Sequence, residues 1–163
     1  MKTLITGGKS AQALKLLKAF TGDQVLLGDY GDAPSFSSAQ YQFISLGEKN
    51  LDTIAHNLLN VCLDQQADRL IPISSFEVEA VAKSAVLFEE FNIHVLLPEM
   101  STLADFISPG VTETQNWAVF ENGVLLYSTK PELITSADQY EKLSGVFYSN
   151  PASAQKLTLF TIA

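Results

Sequence analysis

The sequence predicts an α/β protein: a Rossmann-like, doubly wound, mostly parallel five-stranded sheet over residues 1–110, then a small β-rich appendage over residues 111–163. Three observations carry this expectation. Five short apolar runs alternate with amphipathic stretches through the first part, the pattern of a parallel sheet covered on both faces. Leu51, Ile54, Ala55, Leu58, Leu59, Cys62 and Leu63 recur at three- and four-residue spacing, the apolar stripe of a helix. Beyond residue 110 the helical period gives way to short strand-like runs around Asn122-Gly123, a strong hairpin signal.

In chain order, Leu4 and Ile5 between Thr3 and Thr6 form a first strand that stops at Gly7-Gly8. Ser10 is placed to cap a helix running to about Phe20, with Ala13, Leu14, Leu17 and Phe20 on one face. Residues 24–29 read as a second, buried strand and residues 30–40, with Gly31, Pro34 and several serines, as a loop. Residues 41–46 alternate as a third strand. Asn50 stands where the N-cap of the second helix belongs.

Residues 69–73 form a fourth strand, ended by Pro72, which has no N–H to give a ladder. Ser74 followed by Glu77 matches a capping box that opens a third helix to about Phe91. Residues 94–97 make a fifth strand closed by Pro98, and residues 101–107 a short fourth helix. Right-handed crossovers restrict the topology, and the strand order 3-2-1-4-5 is the one chosen. In the appendage, residues 117–121 and 124–128 form the hairpin. Residues 145–149 and 157–162 form two further strands, with a weak helical turn near residues 136–143. This part is expected to extend or cover the sheet.

Ten Lys and Arg against eighteen Asp and Glu leave a net charge of −8. Such a chain repels phosphate backbones and anionic lipid, which argues against nucleic-acid and membrane-surface partners. Lys9, Lys15 and Lys18 are scattered around one short helix and form no basic cluster. Cys62 is the one cysteine, so no internal disulfide forms; its place on an apolar helix face reads as a buried structural thiol. No secretory signal or membrane-length apolar run is visible, and a cytoplasmic location is expected.

Thr6-Gly7-Gly8-Lys9-Ser10 is the first candidate for chemistry. Glycines between a first strand and a first helix let backbone N–H groups approach an anion, and Lys9 adds a charge. The spacing fits neither familiar pattern. A P-loop needs glycine where Thr3 stands, and a dinucleotide fingerprint needs a third glycine where Ala11 or Ala13 stands. A tight strand-to-helix turn and a ligand loop both remain open. Asp29, about 20 residues past the glycines, stands where an acidic side chain bonds a ribose, or else belongs to ordinary turn chemistry. Ser74 and Ser75 follow the fourth strand at the crevice where open α/β sheets bind ligands, although capping already explains Ser74. Glu77 and Glu79 read as first-turn carboxylates that complement a helix dipole.

His56 falls off its helix's apolar face and His94 opens a strand, neither with a Cys or His at ligand spacing, so no metal site is expected. No G-x-S-x-G elbow or H-E-x-x-H appears, and Tyr140 and Lys142 miss the Y-x-x-x-K interval.

The run Leu4-Ile5-Thr6-Gly7-Gly8-Lys9-Ser10 with Ala13-Leu14 resembles the opening of pre-ATP-grasp domains. These precede the ligase domain in carbamoyl-phosphate-synthase-like and carboxylate–amine ligase enzymes. Residues 37–46 resemble their third strand, residues 70–74 their fourth strand with a polar exit, and residues 95–103 their fifth. The resemblance covers residues 1–107 and is distributed rather than fixed by one motif. It implies a Rossmann-like fold that usually binds no dinucleotide and buttresses the ligase domain. The residues after the fifth strand are expected not to supply the ATP-binding half, so no catalytic residue is carried over.

The expected function is a non-catalytic binding or accessory module. It would hold a small anionic ligand at Gly7, Gly8, Lys9, Ser10, Asp29, Ser74 and Ser75, or partner a separate ligase subunit. A divergent NAD(P)-binding oxidoreductase or sensor is the alternative. A structural protein that dimerises through the uncovered hairpin edge is the third reading. No cofactor is named by the sequence.

Overall fold

A computed structural model describes residues 1–107, 116–130, 142–149 and 157–163. The chain divides into two compact units, Met1–Val95 with Thr161–Ala163, and Leu96–Phe160.

The first unit is built on β1 (Lys2–Ile5), β2 (Gln24–Asp29), β3 (Tyr41–Ser45), β4 (Arg69–Ile71) and β5 (His94–Val95), in the order β3-β2-β1-β4-β5. Every neighbouring pair is parallel, with Leu4 opposite Leu26 and Leu70 at the centre. The expected topology is the one observed. Leu4 and Ile5 point to opposite faces of the sheet, and both are fully buried, so both faces of the central strand are covered. The helices between strands are α1 (Ala11–Leu16), α2 (Ile54–Gln65), α3 (Ser75–Lys83) and α4 (Ala85–Glu90). Pro72 does end β4. Strand β1 leaves the sheet at Thr6 beside β4, because Thr6 N–H donates to Ile71 O at 3.1 Å and Ile73 N–H donates to Thr6 Oγ1 at 2.9 Å.

Several boundaries differ from those expected, each for a local reason. Ser10 caps α1 through Oγ, which accepts from Ala13 N–H at 3.1 Å, but the helix gives way to a 3₁₀ turn at Leu17–Ala19. Its buried positions are Ala13 and Leu16, and Leu14 is exposed. Asn50 is not a helix cap: its Oδ1 accepts from Asp52 N–H at 3.0 Å in an Asx turn, and α2 starts three residues later behind Thr53. Leu51 therefore lies outside the helix and is 66% exposed, and Leu63 faces outward. The third helix is broken at Ser84 into α3 and α4. Strand β5 is two residues long, and residues 103–106 form a 3₁₀ turn rather than an α-helix.

The second unit holds an antiparallel sheet of β6 (Trp117–Glu121), β7 (Val124–Ser128), β8 (Gly145–Ser149) and β9 (Leu157–Leu159), ordered β7-β6-β8-β9. Asn122 and Gly123 have φ of +50° and +81°, as a two-residue primed hairpin turn requires. Aromatic rings fill its core: Tyr148 stacks on Phe160 at 4.5 Å, and Phe147 meets Phe106 and Phe120. Strand β7 is an edge that exposes Val124, Leu125 and Leu126. The strand expected over residues 157–162 ends at Leu159, and Ile162 joins the first unit. The helical turn expected near residues 136–143 lies largely outside the described residues. No helix among the described residues is long and apolar enough to cross a membrane.

Candidate functional site

Strands β1, β2 and β4 deliver their last residues to one edge of the first unit, the carboxyl edge of the sheet. Here the strand order reverses between β1 and β4, the place where open α/β sheets characteristically hold ligands. The sequence-selected residues arrive there as two groups.

Gly7, Gly8, Lys9, Ser10 and Asp29 form the first group. Gly7 turns the chain with φ of +62°, a conformation open to glycine at little steric cost. Gly8 lies against β2: a Cβ on it would stand 2.5 Å from the Leu27 carbonyl carbon and 2.8 Å from Gly28 N. The pair of glycines thus has a packing reason of its own. The amides of the turn are engaged within the protein. Gly8 N–H donates to Gly28 O at 2.9 Å, Lys9 N–H to Asp29 Oδ2 at 3.1 Å, and Ser10 N–H to Gly7 O at 2.9 Å. The other Asp29 oxygen accepts from Tyr30 N–H at 2.8 Å, and Lys9 Nζ donates to Tyr30 O at 3.1 Å. Asp29 therefore holds the glycine turn to the exit of β2, and both its oxygens have protein partners.

Ser74 and Ser75 form the second group. Ser74 occupies the N-cap of α3 in extended conformation, but its side chain makes no capping bond. Half of the expected capping box is present, since the Glu77 carboxylate accepts from the Ser74 backbone N–H. Ser75 N–H donates to Ile162 O at 2.9 Å. Gly7 faces this group, because a Cβ on it would meet Ile162 Cδ1 at 2.6 Å and Ile73 Cγ1 at 3.1 Å.

Between the two groups sits the first-turn carboxylate of α3. Glu77 stands in the first turn of α3, as expected, and is fully buried. Its Oε2 accepts from Thr6 Oγ1 at 2.6 Å and its Oε1 from Tyr30 Oη at 2.7 Å. Burial pushes this carboxyl up to about 7, although the Thr6, Tyr30 and Ser74 donors pull the other way. Burial, reinforced by the neighbouring Glu77 charge, raises the Tyr30 phenol above its ordinary range. The Tyr30 ring lies 5.6 Å from the Phe76 ring, and Lys49 Nζ sits 3.7 Å above Phe76. Glu77 was legible in principle: it lies one helical turn before Val81, which places it on the buried face of α3. Tyr30 and Thr6 gave no comparable signal.

A shallow depression lined by Thr21, Gly22, Asp23, Gln24, Ala39 and Gln40 lies at the opposite, amino end of the sheet. Near it, Arg69 Nη1 and Thr3 Oγ1 both donate to Asp23 Oδ2 at 2.9 Å, an arrangement that ties β1 and β4 to the β2 entry. That end carries a structural ion pair rather than a convergent set of reactive groups. No group of three or more His, Cys, Asp or Glu among the described residues is arranged to hold a metal ion.

No family model matches the sequence. No curated protein matches it either. Solved structures do. The Kluyveromyces lactis urea carboxylase matches at a TM-score of 0.51 and 10% identity, over 99% of this chain and 20% of its own. The K. lactis urea amidolyase matches at 0.52 and 10%, over 99% of this chain and 13% of its own. The biotin carboxylase domain of a single-chain bacterial carboxylase matches at 0.48 and 18%, over 64% of this chain and 26% of its own. The chain thus spans about a quarter or less of the length of these proteins. Glycinamide-RNase-transformylase T from Mycobacterium tuberculosis matches at 0.43 and 16%, over 65% of this chain and 28% of its own. What is common at such identities is the fold.

Proposed function

We propose that this chain is a non-catalytic accessory module, a Rossmann-like domain of the pre-ATP-grasp type that acts through a protein partner such as a separate ligase subunit. One observation carries the reading. The groups that would receive a dinucleotide are already engaged: the Gly8 and Lys9 amides donate to Gly28 and Asp29 of β2, the Ser10 amide donates to Gly7, and Asp29 accepts from two amides. A pyrophosphate would have to displace these bonds, and a ribose would have to take Asp29 from the turn that it holds. A small anionic ligand at Gly7, Gly8, Lys9, Ser10, Asp29, Ser74 and Ser75 faces the same competition, with the Lys9 ammonium as its nearest attraction.

The NAD(P)-binding alternative draws on the position of Asp29, which ends β2 within 3.1 Å of the Lys9 amide. Thermal unfolding with NAD, NADP, magnesium ATP and small carboxylates separates the readings. A specific ligand at about a hundred times its Kd adds roughly 2.7 kcal/mol and moves the midpoint of a chain this size by several degrees. The accessory module is expected to show no shift with any nucleotide. A shift with NAD or NADP that vanishes in Asp29→Ala would establish the alternative in its place.

A further inference from the structure

The crevice at the carboxyl ends of β1 and β4 is occupied by the chain itself. Ile162 N–H donates to Ile73 O at 2.7 Å, and Ile162 O accepts from Ser75 N–H at 2.9 Å. The two bonds form a parallel bridge between Ser74 and Ile162, the pairing of a strand laid beside the exit of β4. The Ile162 side chain rests over Gly7, at a position where any Cβ would stand 2.6 Å from its Cδ1. Ile73 forms the adjoining wall, 3.1 Å from the same point. The floor is apolar, and the polar contacts come from the main chain.

We infer that this crevice is a binding seat for an extended, uncharged peptide segment bearing a branched aliphatic side chain, and that Thr161–Ala163 is the occupant in cis. Strand addition works in this way: main-chain bonds hold the segment, and a side-chain pocket selects it. Gly7 is the selective element, because its missing Cβ makes the room that Ile162 fills. The occupant is held by one short stretch; Thr161 and Ile162 are half-buried and Ala163 is exposed. It is joined by an isolated bridge and not by a strand ladder, and such a pairing is expected to open before the sheet does. A segment of the same chemistry offered in trans then competes for the same two backbone bonds. The inference goes beyond the accessory reading and does not rest on it: a nucleotide response would end that reading and leave the seat intact.

The test uses the whole chain and a fluorescent peptide with the sequence of residues 157–163. Ile162→Asp places a charge over Gly7 and should vacate the seat, so this variant is expected to bind the peptide at least tenfold more tightly than the parent chain. Adding Gly7→Ala should abolish the gain. In amide exchange, Ser75 should lose protection in Ile162→Asp while Leu4 and Leu26 keep theirs. Equal peptide affinity in parent and variant, or full protection of Ser75 in the variant, would overturn the inference. Should Ile162→Asp not fold, Ile162→Gly removes the side chain over Gly7 and weakens the cis occupant's hold on the two backbone bonds without adding a charge. The same tenfold gain is then expected, and its absence counts against the seat.

Discussion

The hydroxyl of Thr6, at the end of β1, donates to Oε2 of Glu77 across 2.6 Å, joining residues 71 positions apart. The same hydroxyl oxygen accepts from Ile73 N–H, so one threonine links β1, the exit of β4 and the start of α3. The carboxyl group at this junction is buried and held up at about 7, against about 4.3 in an unfolded chain. Between those values the folded protein keeps a proton that the unfolded chain has released. Stability from this group is therefore greatest at low pH, falls as pH rises through that window, and is flat above it. Glu77→Gln removes the titration. Relative to the parent, its stability should rise between about pH 5 and pH 7.5, by roughly 1.4 kcal/mol per unit of pKa shift. Urea midpoints across that range measure the difference; parallel curves for the two proteins would mean that Glu77 titrates normally.

Tyr30→Phe removes one donor to the buried carboxyl and keeps the ring beside Phe76. Losing a partner of a buried polar group costs about 1–3 kcal/mol, more when that group is charged. The loss should thus be larger at about pH 8 than at about pH 5, where Glu77 carries its proton. Denaturant titrations at the two values check both size and direction.

Two glycines should respond in opposite ways. Ala at position 8 would push a methyl group against the backbone of β2, 2.5 Å from the Leu27 carbonyl carbon. The sheet edge or the turn must move, at a cost of at least 1–3 kcal/mol typical of overpacking. Gly22 is exposed, with no atom within 4 Å of its added Cβ, so Gly22→Ala should be neutral or slightly stabilising. Equal effects of the two substitutions on the urea midpoint would show that the turn is looser than described.

Cys62 is fully buried on α2, and burial pushes its thiol up to about 12. A thiol reagent should react with the native protein only through unfolding, and rapidly once denaturant is added. Fast labelling at neutral pH without denaturant would contradict this.

The sheet was legible because its central strands are short apolar runs separated by helical periods, and burial on both faces permits little else. The Ser10 cap and the Asn122-Gly123 turn were legible because each depends on residues adjacent in sequence. Asn50 misled because an Asx turn and an N-cap use the same residue types. Among the site residues, the glycine turn and Asp29 could be selected from their spacing, but not their mutual hydrogen bonds. Glu77 and Tyr30 meet across 47 residues, and Ile162 meets Gly7 across most of the chain; no local pattern encodes either contact.

Amide exchange at Gly8, Lys9, Ser10 and Tyr30 in the ligand-free protein tests most directly whether the carboxyl edge is closed by its own groups. Protection at all four, unchanged when NAD or ATP is added, is the result predicted. Exchange of Lys9 and Ser10 at the rate of free amides, with protection gained on adding a nucleotide, would contradict it and make the edge a ligand site.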